Sequence, residues 1–377
     1  MHTPCLVPET ASQCAILLTW PHRSSAWADS LESVTAVYLD IARAVVTHEN
    51  LLVVCYDQNL AGEVRQACTR AGIPLNAIDF FTAQTNDTWI RDYGPLTVSN
   101  GSEVRLLDFV FDGWGKKYPA TLDNEVTRKL ESAGVFNTDC RHFRHVLEGG
   151  SIDTDGVGSL LTTSNCLITN SRNPGYDKAA FERLFADEMG IQRVLWLDHG
   201  ELEGDDTDAH IDMLARFCSP HTIAYTQCTD RRDSHYAELH AMERQLGTFT
   251  TLEGRPYHLL PLPLPAPVHS ATGERLPASY ANFLIINGAV LVPVYDAPSD
   301  AIALERLTGA FPDRQIIPVN CLALIQQYGS LHCATMQLPA GILPSRDTCT
   351  SLCIVPAADG LVAPTRRPPI RPHTPRS

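Results

Sequence analysis

The chain has 377 residues, of which 44% are hydrophobic and 19% charged, a balance typical of globular rather than disordered proteins. Its formal net charge of -14 at pH 7 argues against nucleic acid and anionic membrane surfaces as partners, and favours a cationic ligand. The sequence has no secretory leader pattern and no apolar run of membrane-spanning length, which predicts a cytoplasmic protein.

Twelve cysteines are spread along the chain. They form no CxxC pair with a second pair downstream, so the spacing predicts no structural zinc site. In a reducing compartment most of these thiols are expected to stay reduced.

Short apolar runs typical of buried strands alternate with amphipathic stretches typical of helices. In chain order, strands are predicted at 15–18, 51–54, 104–109, 159–163, 194–197, 222–225, 283–286 and 290–294. Helices are predicted at 31–46, 121–132, 178–189, 234–245 and 300–308. The order strand, strand, helix, strand recurs about five times, which predicts an α/β fold of repeated modules.

Two segments differ in composition from the rest. Residues 261–267 alternate proline with leucine or alanine, which suits either a linker or an edge strand. Residues 356–377 are rich in proline and arginine, which predicts a disordered tail. No other boundary is visible, so residues 1–355 are predicted to form a single domain, and exposed apolar strands would allow a homo-oligomer.

Four polar loops between the modules hold the unusual motifs, where a rigid scaffold would present chemistry. They are TNDTWIRDYGP at 85–95, LEGGS at 147–151, GDDTDAHID at 204–212 and YGSLHCAT at 328–335.

Together these motifs contain what is needed to bind and attack a guanidinium group. Its planar fork of five N–H donors stays charged and requires opposed carboxylates, which Asp92 and Asp212 could supply. Aromatic faces help through cation–π contact, and the candidates are Trp89 and Trp114. A thiolate such as that of Cys333 can attack the central carbon. A histidine, in this case His210, can donate a proton to the departing ammonia and later activate water.

Each of these residues also has a purely structural interpretation. Cys333 could be a small core residue, His210 a hydrogen-bonded histidine at a strand end, and Glu148 a turn residue. The glycines after Glu148 could simply supply positive φ, and Asp92 could pair with Arg91. The acids in 204–212 could form Asx turns on a solvated loop or, with His210, a site for a hard metal ion.

As a set, the motifs resemble one family, the agmatine deiminases of the pentein, or guanidine-modifying, superfamily. The matching segments, in order from about Trp20 to Ala340, are 85–95, 113–116, 148–151, 160–163, 171–174, 205–217, 273–283 and 332–333. Because these motifs occur together and in order, the resemblance is far more specific than any one of them.

The resemblance implies a five-bladed α/β propeller of ββαβ modules. It also implies hydrolysis of agmatine to N-carbamoylputrescine and ammonia, a step in polyamine and putrescine biosynthesis, without metal or cofactor. In the matching positions Cys333 would be the nucleophile that forms an amidino-cysteine, and His210 the general acid and base. Asp92 and Asp212 would hold the guanidinium, and Glu148 would support the histidine and substrate.

At the far end of the substrate, Asp206 is the candidate partner of the agmatine ammonium, and Asp208 is a second candidate in the same loop. The chain departs from the family pattern at Ala209, where glycine is usual, and at Met213, where asparagine is usual. Ser330 lies in a shortened glycine-rich segment before the nucleophile. These departures leave open a preference for peptidyl or free arginine, an amidinotransferase activity, or a non-catalytic guanidine-binding role.

Overall fold

The computed structural model of the chain describes residues 4–344, so 345–355 of the predicted domain and the predicted tail at 356–377 lie outside the described residues. The strands are β1 Cys5–Leu6, β2 Gln13–Thr19, β3 Asn50–Cys55, β4 Ile78–Thr82, β5 Leu96–Ser99, β6 Val104–Val110, β7 Cys140–Val146, β8 Ile152–Thr154, β9 Ser159–Thr163, β10 Arg193–Leu197, β11 Ala215–Ser219, β12 Thr222–Gln227, β13 His258–Pro263, β14 Val268–His269, β15 Arg275–Leu276, β16 Leu284–Ile286, β17 Ala289–Val294, β18 Gln315–Asn320 and β19 Thr335–Pro339.

The helices are α1 Leu31–Val46, α2 Gln58–Arg70, α3 Ile90–Tyr93, α4 Gly113–Lys116, α5 Val126–Ser132, α6 Ser164–Leu167, α7 Lys178–Met189, α8 Tyr236–Leu246 and α9 Asp300–Ala310. Within residues 4–344, none of these helices combines the length and apolar character that crossing a membrane requires.

Five sheets in the described part of the chain repeat one arrangement. In each, the first strand runs antiparallel to the second, and a helix then crosses over to a third strand parallel to the second. The modules are β5–β6–α5–β7, β8–β9–α7–β10, β11–β12–α8–β13, β16–β17–α9–β18 and β19–β2–α1–β3. This topology confirms the predicted α/β fold of ββαβ modules.

The two ends of the described chain meet in the ring of modules. Strand β19 pairs with β2, so that Met336 lies opposite Leu17, and β1 adds an edge to the neighbouring sheet by pairing with β5. The segment between β1 and β2 therefore passes between two modules. It carries Glu9, which is buried there.

The second strand of each module lies in the middle of its sheet, and most of its residues are buried. All residues of β9 are buried, as are all but one in each of β2 and β17. One core of buried residues extends from Leu6 to Ile342. Helices α1 and α7 have the predicted bounds.

Several elements differ from the prediction or refine it. The helix predicted from residue 121 begins as a 3-10 turn at Asp123–Glu125, and α5 starts only at Val126. Helix α2 and strand β4 are among the elements that were not predicted. Residues 261–263 of the proline-rich segment end the edge strand β13, which pairs with β12. The prolines therefore interrupt no ladder on the open side of this strand.

Candidate active site

The candidate residues lie in equivalent places in four of the five modules. The segment that leads into the first strand carries Asp92 in α3 before β5, Glu148 before β8, His210 and Asp212 before β11, and Cys333 before β19. Because the modules form a ring, residues as far apart in sequence as Asp92 and Cys333 meet at one end of it. All five are buried, with at most 8% of any residue exposed.

His210 lies between the first two carboxylates. Its Nδ1 is 3.6 Å from Asp92 Oδ1, and its Nε2 is 3.6 Å from Glu148 Oε2. Asp92 is itself held in place, because Trp114 Nε1 donates to its Oδ2 at 2.9 Å and the Gly150 amide donates to its Oδ1 at 2.9 Å. The interpretation in which Asp92 pairs only with Arg91 is therefore wrong, since the Arg91 side chain contacts Gln337 and Glu9 instead.

The thiol of Cys333 faces the second half of the cluster. Its Sγ lies 3.5 Å from Asp212 Oδ2, and Asn282 Nδ2 donates to the same sulfur at 3.2 Å. The Asn282 side-chain oxygen also accepts the backbone amide of His332 at 2.8 Å, which fixes the turn that presents the nucleophile. The position of the sulfur is thus set by side chains from three loops.

The two carboxylate oxygens of Asp212 differ in their hydrogen bonding. Oδ2 accepts from His332 Nδ1 at 2.8 Å, whereas no group in residues 4–344 donates to the buried Oδ1. On its other side, His332 Nε2 lies 2.7 Å from Glu9 Oε2, which also accepts from Arg216 at 2.9 Å. A chain of buried charges thus holds Asp212 from behind and leaves one acceptor for a ligand.

His210 and Cys333 are both buried, but burial and neighbouring charges combine differently in setting their pKa values. Burial lowers the pKa of His210, but Asp92, Cys166 and Glu148 outweigh it and hold the pKa well above its usual value. Burial together with the charges of Asp212 and Asp92 raises the pKa of the Cys333 thiol well above its ordinary value.

The pKa values of the three carboxylates are also shifted in different directions. Burial raises the pKa of Asp92, with Asp212 and Glu148 adding to the rise. Burial opposes ionisation of Asp212 and Glu148 as well, but the hydrogen bond from His332 to Asp212 and the positive charges of His210 and Arg172 beside Glu148 keep both pKa values below normal. The site therefore holds an imidazolium among carboxylates and a thiol that is protonated in the absence of a bound cation.

Gly150 is needed for the space that it leaves and not for its backbone angle, because its φ is not positive. A Cβ there would lie 2.7 Å from His210 Nδ1 and 2.8 Å from Asp92 Oδ1. The prediction that this glycine supplies positive φ is wrong. It is needed because three functional side chains converge on it.

A cavity of about 360 Å³ opens from the cluster. Asp92, His210, Asp212 and Cys333 line its base, and its walls are formed by Trp89, Trp114, Asp205, Asp206, Thr207, Met213, Gln327, Tyr328 and Gly329. Met213 Sδ lies 3.9 Å from the Cys333 sulfur. Both predicted tryptophans and the predicted Asp206 thus lie where a cationic ligand of extended shape would contact them.

Asp205 and Asp208 organise the acidic loop. Asp205 accepts the amides of Thr207 and Ala209, which matches the Asx-turn interpretation for this residue. Asp208 pairs with Lys117 at 2.9 Å and with Arg172 at 2.7 Å, and it is not among the cavity-lining residues. Asp208 and Ala209 both have positive φ, at 69° and 68°.

Sequence reasoning assigned no role to several residues that complete the site. These are Glu9, Cys166, Arg172, Asn282 and His332. Arg172 donates to Glu148 at 2.8 Å, and Cys166 Sγ lies 3.8 Å from the same carboxylate. Some of these residues could have been found from the sequence, because a polar residue in an apolar segment, such as Asn282 between Ala281 and Phe283, indicates a specific role. Glu9 could not have been found in this way, because it lies outside every motif.

The chain is similar to known proteins along most of its length. Residues 5–339 match the model of the Porphyromonas-type peptidyl-arginine deiminase family. The agmatine deiminase of Ectopseudomonas mendocina is 32% identical over 359 residues, covering 88% of this chain and 94% of the relative. A solved C. jejuni agmatine deiminase, a cysteine-to-serine variant with substrate bound, is 34% identical, covers 89% of this chain and 96% of its own, and has a TM-score of 0.82.

A solved Porphyromonas gingivalis protein, provisionally described as an arginine deiminase, is 43% identical. It covers 91% of this chain and all of its own, with a TM-score of 0.85. These similarities extend over nearly the whole described chain and confirm both the resemblance to agmatine deiminases and the pentein fold. The chain belongs to the Porphyromonas-type peptidyl-arginine deiminase family of hydrolases that act on C–N bonds of guanidines.

Proposed function

We propose that this protein is an agmatine deiminase that works through a covalent amidino-cysteine at Cys333. One observation carries the proposal. The Cys333 sulfur, the unpaired Oδ1 of Asp212, Asp92 and the imidazole of His210 all border one acid-lined cavity. That arrangement suits a planar cation whose central carbon is to be attacked and whose leaving group needs a proton.

Guanidinium capture would use the two aspartates. Asp212 offers Oδ1, and Asp92, which also lines the cavity, is held by Trp114 and Gly150. Carboxylates on two sides of a guanidinium can each accept its parallel N–H groups, which fixes the plane of the group as well as its position. Trp89 and Trp114 would cover its faces and alkyl chain.

Binding of the cation would also activate the nucleophile. The negative charges of Asp92 and Asp212 contribute to keeping the Cys333 thiol protonated. A guanidinium placed between those carboxylates offsets them, so the thiol releases its proton to solvent as the substrate enters. The Asn282 amide, 3.2 Å from the sulfur, then stabilises the thiolate.

His210 would carry the protons of both half-reactions. As the sulfur bonds to the guanidinium carbon and a terminal C–N bond breaks, the imidazolium gives its proton to the departing ammonia. The neutral imidazole then takes a proton from water, which adds to the amidino carbon. As the C–S bond breaks, the remaining hydroxyl proton leaves to solvent, which releases N-carbamoylputrescine and regenerates the thiolate. Glu148, held by Arg172, keeps the imidazole oriented throughout.

The distal end of the cavity favours agmatine over arginine. Asp206 lines it and accepts a hydrogen bond from Tyr118 at 2.9 Å, with Asp205 beside it. An ammonium would be attracted to these acids, whereas the α-carboxylate of free arginine would be repelled. We propose Asp206 as the ammonium partner, and we propose that Asp208 acts indirectly by tying the loop to Lys117 and Arg172.

A second candidate substrate is arginine, free or in a peptide. It is favoured by the 43% identity to the P. gingivalis protein described as an arginine deiminase, which exceeds the identity to the agmatine deiminases compared above. In a peptide the α-carboxylate is an amide, so the repulsion by Asp205 and Asp206 would be absent. Ala209, Met213 and Ser330, which depart from the agmatine deiminase pattern, lie in or beside the loops concerned.

A substrate panel tests the proposal directly. Agmatine, arginine and a peptidyl arginine would be assayed for ammonia and for the ureido product, with and without added acceptor amines. We expect agmatine to give the highest kcat/KM and no new guanidino compound. Cys333→Ala should abolish turnover, while Cys228→Ala, at a buried cysteine outside the cavity lining, should retain it. Full turnover by Cys333→Ala would refute the mechanism, and a faster reaction with peptidyl arginine would refute the substrate.

We also propose that the protein acts in the cytoplasm. None of the ten cysteines within residues 4–344 forms a disulfide, and the proposed nucleophile is one of them, which suits a reducing compartment. A homo-oligomeric state, and the absence of nucleic acid and membrane partners, stay predictions from the sequence.

A further inference from the structure

Three metal-ligating side chains meet at the α5–β7 contact, and none of them is among the residues that line the substrate cavity. Cys140 and His142 lie two positions apart on β7, so their side chains project from the same face of the sheet. Glu131, in the last turn of α5, packs against that face. The Cys140 sulfur, a ring nitrogen of His142 and a carboxylate oxygen of Glu131 all lie within 4.8 Å of one another.

The carboxylate of Glu131 is held from two sides. The backbone amide of Cys140 donates to Oε1 at 3.2 Å, and His142 Nε2 lies 2.9 Å from Oε2. The carboxylate is therefore already directed at the histidine and cysteine that would share a metal with it. Little rearrangement is needed, because donor atoms around a tetrahedral ion lie a little over 3 Å apart when the bonds are about 2.0–2.3 Å long.

A second carboxylate orients the histidine. Asp108, on the neighbouring strand β6, lies opposite His142 in the ladder, and its Oδ2 is 2.7 Å from His142 Nδ1. Glu131 and Asp108 are both carboxylates and only accept, so both ring nitrogens of His142 donate in the metal-free chain. A bound cation would replace the hydrogen on Nε2, which leaves to solvent, while Nδ1 keeps its hydrogen bond to Asp108. The same carboxylate–histidine arrangement supports metal-bound histidines in many zinc sites. Arg128 Nε lies 3.5 Å from Asp108 Oδ2, and Glu125 is a further charged group that acts on this carboxylate.

From this geometry we infer that Glu131, Cys140 and His142 form a binding site for a borderline divalent cation, with Zn²⁺ as the best fit and Asp108 as the outer support. One thiolate, one imidazole and one carboxylate match the preference of Zn²⁺, and a water would complete a tetrahedron. Ca²⁺ and Mg²⁺ are disfavoured, since they prefer oxygen donors only. A search for CxxC pairs could not find this site, because its three ligands come from a strand and a helix and include only one cysteine.

The site is accessible from solvent. The side chains of His142 and Glu131 are 30% and 32% exposed, so an ion can enter. As Zn²⁺ binds, the S–Zn bond forms and the thiol proton leaves to solvent.

Binding at this site would fix α5 against β7. The same helix contacts the active-site side of the module, because Thr127 Oγ1 donates to the carbonyl of Tyr93, the neighbour of Asp92. The cation would thus stabilise this module without touching the substrate cavity. We expect Zn²⁺ to raise the melting temperature of the protein.

Cobalt provides the test, because a Co²⁺–thiolate bond absorbs in the near ultraviolet. The full-length protein, reduced and freed of metals, would be titrated with Co²⁺ alone and then with Zn²⁺. We expect a thiolate band that saturates at one equivalent, is bleached by Zn²⁺, and is lost in Cys140→Ser and His142→Gln. Asp108→Asn should weaken binding about 10–100-fold while leaving all three ligands in place.

Two control variants separate this site from other thiols. Cys5→Ser removes an exposed cysteine and should leave the band intact. Cys166→Ser should also leave it intact, although Cys166 lies with Glu148 and His210 in a second, buried trio inside the active site. A band that survives in Cys140→Ser, a band lost in Cys166→Ser, or no thiolate band at all would overturn the inference. Melting curves without metal check that each variant is folded.

Discussion

His332 Nδ1 lies 2.8 Å from Oδ2 of Asp212, so the residue next to the nucleophile binds the carboxylate that faces it. The other ring nitrogen of His332 lies 2.7 Å from Glu9 Oε2. Because both partners are carboxylates, the ring must donate from both nitrogens to bond both. This relationship keeps Asp212 ionised and leaves its Oδ1 for the guanidinium.

Replacing His332 with asparagine is expected to weaken substrate capture. A hydrogen bond between charged groups contributes about 1.5–3 kcal/mol, so kcat/KM for agmatine should fall about tenfold or more, mainly through KM. Since the His332 bond lowers the pKa of Asp212, its loss should move the acid limb of the kcat/KM profile to higher pH. His240→Asn, on a half-exposed histidine of α8, is the control. An unshifted acid limb would argue for a purely structural His332.

Gly150→Ala should inactivate the enzyme without unfolding it. The added methyl would lie under 3 Å from both His210 and Asp92, so one of them must move. A displacement of about 1 Å in a catalytic group can cost about 100-fold in rate. Kinetics and circular dichroism of Gly150→Ala and Gly62→Ala would be compared, since a Cβ at Gly62 meets no atom within 4 Å. Equal activity of the two variants would contradict the packing argument.

The free enzyme should react slowly with iodoacetamide at Cys333. Burial and the two aspartates raise the thiol pKa, so the alkylation rate at about pH 7 should be low and still increasing at about pH 9. Asp212→Asn removes one of those charges, which lowers the pKa and should speed alkylation at neutral pH even as turnover falls. Peptide mass mapping would measure modification at Cys333 separately from the other cysteines. Slower alkylation in Asp212→Asn would show that the charge has the opposite effect.

Asp206→Asn should affect substrates according to their distal charge. For agmatine we expect KM to increase about fivefold to tenfold, the loss of roughly 1 kcal/mol from a partly screened ion pair. For butylguanidine, which lacks the amine, the same variant should behave like the unmodified protein. Steady-state ammonia release with both compounds gives the comparison. An equal change for both would mean that Asp206 shapes the cavity without binding an ammonium.

Ala209→Gly is expected to be neutral or stabilising. Left-handed φ costs a residue with a side chain about 1–2 kcal/mol, which exceeds the roughly 0.8 kcal/mol lost with one buried methyl group. The free energy of unfolding should therefore stay level or rise by up to about 1 kcal/mol. Ala186→Gly, on the exposed side of α7, should instead cost about 0.5–1 kcal/mol. Urea unfolding curves would measure the free energy of unfolding of both variants. If both were destabilised equally, the backbone of Ala209 would not be strained.

The sequence alone predicted much of the architecture, because it depends on local periodicity. The second strands contain short apolar runs, and the amphipathic spacing in α1 and α7 marks their bounds. Helix α2 was missed although Ala61, Val64 and Cys68 recur at helical spacing, because polar residues dominate its sequence QNLAGEVRQACTR. Edge strand β4 was missed because it is short and only partly buried.

The sequence by itself determined the chemistry of the site, since residue types and motif order identify carboxylates, a thiol and an imidazole suited to a guanidinium. Only the tertiary structure decided which of them meet. It brings Glu9 to His332 and Asp108 to His142, and turns Asp208 away from the cavity towards Lys117 and Arg172. The physical reason is that a ring of modules places segments that are distant in sequence side by side. Once these groups are buried together, the charges and hydrogen bonds of their neighbours determine which of them are ionised.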